Sequence, residues 1–239
     1  MAKQHGPAAS YFSGRQGEVV GAKLKGGEYV SRTYQPNVKN PKTLRQRVSR
    51  LRMSTASGLA SALAAAIQTG YAKATASTRM YPRNMFVRDA VRMDGMNVIT
   101  VANETATVNY DNIKVSQRNG LNLVPAMGQA DFEEPLTVKV DYAAMNVTDV
   151  LPAGKLGLVT VVYAPELNQC VVKNTIVEQG QAGSVTVPVP ASFSATTVHL
   201  YHFLKWVPES KNGVATENEP WMYPSETGET VYGGTGIVG

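Results

Sequence analysis

Six cations fall within fifteen residues, VKNPKTLRQRVSRLR: Lys39, Lys42, Arg45, Arg47, Arg50 and Arg52. Guanidinium and ammonium groups at this density can contact phosphates without reading a base sequence. Asn40 is a candidate N-cap and Pro41 suits a first helical position, so the arginines should crowd the opening turns of a helix. Cations there oppose the helix dipole, at a cost of about 0.3–1 kcal/mol each when exposed. That frustration favours an external anion. Solvated arginines on a helix face, or salt bridges to acids of the same or a neighbouring subunit, are equally open readings. No zinc, zipper or helix-turn-helix context accompanies the run, so sequence-specific reading is not expected.

Other chemistry is poorly supported. The chain has three histidines. His5 lies near the start, and His199 and His202 lie in one strand-like segment, TTVHLYHFLKWV. An offset of three puts the last two on opposite faces of a strand, so they do not form a two-ligand metal edge. Cys170 is the single cysteine, which excludes an internal disulfide and any cysteine zinc cluster; a small buried hydrophobe is its expected role. The glycines of FSGRQGEVVGAKLKGG match neither the G-x-x-x-x-G-K-[ST] phosphate loop nor the G-x-G-x-x-G dinucleotide spacing. No G-x-S-x-G elbow occurs, and Glu133-Glu134 beside Pro135 is an isolated acidic pair in a turn. Neither an enzyme nor a cofactor or metal is expected.

Charge is divided unevenly along the chain. Residues 1–92 hold 16 Lys/Arg against 3 acids, net +13, and residues 93–239 hold 7 against 15, net −8, which together give the +5 of the whole. A basic segment that meets a polyanion or an acidic neighbour, attached to a folded body, fits this division. The length of 239 residues allows one large domain or two small ones. The start, MAKQHGPAASYFSG, lacks the apolar core of a secretory signal, and GLASALAAAI at 58–67 is too short to span a bilayer. Synthesis in a reducing cytoplasm, with no membrane partner, is therefore expected, and the sequons at Asn103 and Asn146 carry little weight.

Positioning of these residues falls to elements readable in outline. Residues 18–34 predict a β-hairpin around a two-residue Gly26-Gly27 turn. Leu44, Val48, Leu51, Thr55, Leu59 and Leu63 recur every three or four residues, predicting one long amphipathic helix over about 41–70. Residues 71–95 give no clear pattern. Beyond Met96, NVITVANETATVNY, LTVKVDYAAM, GKLGLVTVVYAP, QCVVKNTIVEQ, GSVTVPVP and TTVHLYHFLKWV are β-branched runs separated by turn clusters. With no helix between them, they predict a mainly β protein, an antiparallel immunoglobulin-like β-sandwich preceded by the N-terminal hairpin and helix. Pro188 and Pro190 push their strand to an edge or an end. The implied regions are a basic N-terminal region 1–92, a β body 93–208 and a tail 209–239 that docks as a last strand or serves as an arm.

The segment SGRQGEVVGAKLKGGEYVSRTYQPNVKNPKTLRQRVSRLR resembles the N-terminus of a domain-of-unknown-function family of Bacteroidetes. Its G-x-x-G-x-V-V-G hairpin is matched by Gly14, Gly17, Val19, Val20 and Gly21, followed by Arg32. Its V-K-N-P-x-T-x-x-Q helix start is matched by Val38, Lys39, Asn40, Pro41, Thr43 and Gln46, with Arg50 beyond. VVYAPEL and VTVPVPASFSATTVHLYHFL are similar to later strands, while WMYPSETGETVYGGTGIVG departs from the family ending. The resemblance implies a compact β-rich protein of bacterial or bacteriophage origin and supplies no catalytic residues.

These observations predict a non-enzymatic structural or assembly protein of the kind found in a phage particle. It would self-associate through its β body, with Lys39, Lys42, Arg45, Arg47, Arg50 and Arg52 contacting nucleic acid phosphates or an acidic neighbouring subunit. Incorporation into a virion after cytoplasmic synthesis would follow. A sequence-neutral DNA- or RNA-binding protein and an immunoglobulin-like interaction module are the alternative expectations.

Overall fold

A computed structural model describes residues 13–24, 27, 29–36, 42–92, 97–148, 151, 154–208 and 224–239. Lys39, the Asn40-Pro41 cap, Gly26 and residues 209–223 of the tail lie outside the described residues.

The N-terminal strands β1 (Gly14–Gln16), β2 (Val19–Lys23) and β3 (Tyr29–Thr33) form an antiparallel three-stranded meander. Lys23 pairs with Tyr29, a register that needs an odd number of connecting residues and corrects the two-residue turn. Gly27 at φ 84° donates its N–H to the Leu24 carbonyl at 3.1 Å, the left-handed geometry for which glycine is suited.

The expected single helix is divided into two, α1 (Leu44–Ala62) and α2 (Ala64–Gly70), and the stretch left without a pattern holds α3 (Ala72–Ala76) and α4 (Pro82–Val91). Thr43 is the N-cap of α1, its hydroxyl accepting from the Gln46 N–H at 3.4 Å. The helical trace breaks at Leu63 (φ −93°, ψ 17°), so the segment still ends at Gly70 but bends on the way. Pro82 starts α4 at a position where its missing N–H costs nothing.

Among the described residues, the body contains seven strands in two antiparallel sheets. One sheet has the order β10 (Gly183–Pro188), β7 (Thr137–Tyr142), β6 (Met127–Asp131). The other has the order β12 (Val231–Ile237), β11 (Thr197–Pro208), β8 (Gly154–Ala164), β9 (Gln169–Val177). Pro188 ends an edge strand, as its missing donor requires. The tail does dock: β12 pairs antiparallel with β11, with a register shift between Leu200 and Tyr201. A separate hairpin, β4 (Ile99–Ala102) and β5 (Thr105–Val108), turns through Asn103 and Glu104 at φ 49° and 60°. Both φ values are positive, as in a two-residue type I′ turn.

Side-chain alternation places the two cores. Leu156, Leu158, Val162, Leu200, Leu204 and Trp206 face Val138, Val140, Val185 and Val187 of the three-stranded sheet. Val159, Val161, Tyr163, Tyr201 and Phe203, on the opposite face of β8 and β11, join Leu59, Leu63, Ile67, Met85 and Phe86 of the helices. The four-stranded sheet is therefore covered on both sides, by helices on one and by the second sheet on the other. Tyr71 and Phe86 meet edge to face at 6.2 Å within the helical core, a geometry that adds about 0.5–1.5 kcal/mol beyond area burial.

Candidate polyanion and assembly surface

Helix α1 buries only its C-terminal half. Ala56, Leu59 and Ala60 are its buried residues, while Val48, Leu51 and Thr55 are half-buried and Leu44 is 59% exposed. The apolar stripe thus seats the helix from Ala56 onward, and the three turns before it, which carry the arginines, reach past the core. No acid occupies the first turn to offset the dipole.

The cations do not share one face. At about 100° per residue, Arg45 and Arg52 lie close together on one side of α1, and Arg47 and Arg50 lie on another. Arg47 Nη1 contacts both Glu104 carboxylate oxygens, at 2.9 and 3.0 Å, tying the helix to the β4–β5 turn. Both partners are about half exposed, so the pair contributes no more than about 1 kcal/mol. Lys42 and Arg45 are exposed and form no ion pair among the described residues. The half-buried Arg52 has an Nε without a hydrogen-bond partner. Along the helix, Arg83 of α4 donates to the Ser57 carbonyl at 3.2 Å and the Ser61 hydroxyl at 3.3 Å. Lys73 of α3 reaches Glu226 at 3.3 Å. Some of the charge division is therefore resolved within the chain, through Arg47–Glu104 and Lys73–Glu226, while Lys42 and Arg45 meet no acid among the described residues.

The histidines lie on opposite faces of β11. His199 is on the helical side, its Nδ1 at 2.8 Å from the Tyr232 hydroxyl and its ring stacked on Tyr110 at 4.1 Å. Burial lowers its pKa, with Asp111 pulling the other way. His202 is fully buried on the sandwich side, with Nδ1 at 3.3 Å from the Thr160 hydroxyl and Nε2 unpartnered. Burial alone pushes its pKa down to about 4. Gly233 makes room for that ring, because a Cβ there would sit 2.3 Å from Nε2. Lys205, also fully buried, approaches the Thr69 carbonyl at 3.5 Å in the last turn of α2, the negative end of that helix dipole. Burial brings its pKa down to about 8.

Cys170 is half-buried beside Tyr163, its cross-strand neighbour, and burial pushes the thiol up to about 11. Such a thiol is poorly suited to nucleophilic work. Among the described residues, no three or more His, Cys, Asp or Glu side chains gather as a metal site. No helix among them is long and apolar enough to cross a membrane.

Fold and side chains together define a mainly β protein whose body has two facing sheets and a helical layer, with a basic helix start whose first three turns hold no buried residue. The chain belongs to the family of unknown function DUF6266, which matches residues 11–219. No curated protein matches the sequence.

Proposed function

We propose that this chain is a non-enzymatic structural or assembly protein, of the kind that builds a bacteriophage particle. Its body is read as an immunoglobulin-like sandwich. The strand orders β10-β7-β6 and β12-β11-β8-β9 support this, because the chain crosses between two facing antiparallel sheets at β7–β8, β9–β10 and β10–β11. Self-association runs through that body, and the basic N-terminal region contacts nucleic acid phosphates or an acidic neighbouring subunit. After cytoplasmic synthesis the protein is carried in the particle.

One observation carries the reading: the arginine-bearing turns of α1 have no buried residue, and Lys42 and Arg45 meet no acid of their own chain among the described residues. Replacing Arg45, Arg47, Arg50 and Arg52 together by Ser tests it. Size-exclusion chromatography with light scattering, at low and high salt, should show a large wild-type species that the variant fails to form, with near-UV circular dichroism unchanged. An unaltered species in the variant would overturn the reading. A species rich in 260 nm absorbance that salt dissociates would favour a sequence-neutral nucleic-acid-binding protein, for which the unpaired cations are also suited. A monomer in all conditions would favour an interaction module.

A further inference from the structure

The meander β1–β3 contributes no residue to either hydrophobic core. Three strands with no buried apolar face have little reason to hold together on their own. The pairing shows what the sheet offers instead. Arg15 lies opposite Val20, and Val20 opposite Arg32, so two guanidinium groups flank one valine in a single row. Ala22 and Val30 form the next row on the same face, because alternate residues share a side. The Arg15 guanidinium carbon lies over the Tyr34 ring, 3.7 Å from its centre. Val20, Arg32, Thr33, Tyr34 and Gln35 line a cleft beside it. Arg15 and Arg32 are exposed, and neither forms an ion pair among the described residues.

We infer that this face of the meander, Arg15, Val20, Ala22, Val30, Arg32 and Tyr34, docks on the body of a second copy of the chain. The inference rests on the assembly reading and specifies the surface through which it works. Charge complementarity selects the occupant: residues 93–239 are net −8 while residues 1–92 are net +13. On the body, Asp131, Glu133 and Glu134 stand exposed around the β6–β7 turn with no ion pair among the described residues. The apolar rows argue for protein over nucleic acid. Burying Val20, Ala22 and Val30 is rewarded by an apolar surface and not by a phosphate backbone.

The test is hydrogen–deuterium exchange on the full chain across a concentration series, followed in peptides covering 14–33, alongside light scattering. The variant Arg15→Glu/Arg32→Glu changes two exposed side chains outside both cores, and near-UV circular dichroism checks its fold. Protection of 14–33 should rise as copies associate, and the variant should need at least about tenfold more protein to associate. Association without added protection at 14–33 would overturn this surface and leave the assembly reading standing. No association at any concentration would overturn both. Protection that appears only when an oligonucleotide is added would overturn the second copy as occupant.

Discussion

Acid should destabilise this protein through His202, and the size of the effect follows from its site. The imidazole is fully buried, its Nε2 has no partner, and its pKa is pushed from 6.5 down to about 4. A proton on Nε2 would face the backbone of Gly233 with nothing to accept it. The folded state therefore holds the ring neutral, while the unfolded chain takes up a proton near its ordinary pKa. Stability from this residue is complete above pH 6.5, falls as pH drops towards 4, and is level below that. At about 1.4 kcal/mol per pH unit, linkage gives a loss of roughly 2 kcal/mol between about pH 7 and about pH 4.5. His199 shifts in the same direction, so the isolating comparison is with His202→Leu, which keeps an apolar group of similar bulk. Urea unfolding of both proteins across this range measures the difference. The leucine variant should lose roughly 2 kcal/mol less than wild type on acidification. Equal losses in the two proteins would show that His202 is reached by protons in the folded state, and the reasoning would fail.

Other expectations concern the same contacts. Gly233→Ala should cost about 1–3 kcal/mol by overpacking against His202; introducing Ala at both positions should recover part of that loss, measured by chemical denaturation. A double-mutant cycle on Arg47 and Glu104 should give a coupling below about 1 kcal/mol that fades with salt. A coupling of several kcal/mol would mean that the helix start is anchored far more firmly than two half-exposed groups allow. Cys170 should react slowly with a disulfide reagent in the native state at mildly alkaline pH and rapidly in urea, because the folded thiol is held up near 11. Prompt native labelling would contradict that burial.

Much of the local structure is legible in the residue order. The three-and-four spacing from Leu44 to Leu63 reports a helix because it matches that period, and the β-branched runs from 137 to 207 report strands because they fit a pleated surface. The offset of three separates His199 from His202 for the same reason. The positions of the arginines around α1 were also there to be read, since Arg45 and Arg52 are seven apart and Arg47 and Arg50 three. The break at Leu63 and the helices in 71–91 were not legible, because the run of Ala64, Ala65 and Ala66 and the short segment 72–76 carry no clear apolar period, and these helices share their core with β8 and β11.

Tertiary structure alone decided what each apolar face meets. The run GKLGLVTVVYA is apolar on both alternating sets, which states that β8 is covered twice but not by what. Only the fold assigns helices to one side and a second sheet to the other. The fold also decided that burial on α1 begins at Ala56, so that its arginines extend past the core. Periodicity records that a side chain is hidden from water; it carries no information on the partner that hides it, because any well-packed apolar surface satisfies the same free-energy demand.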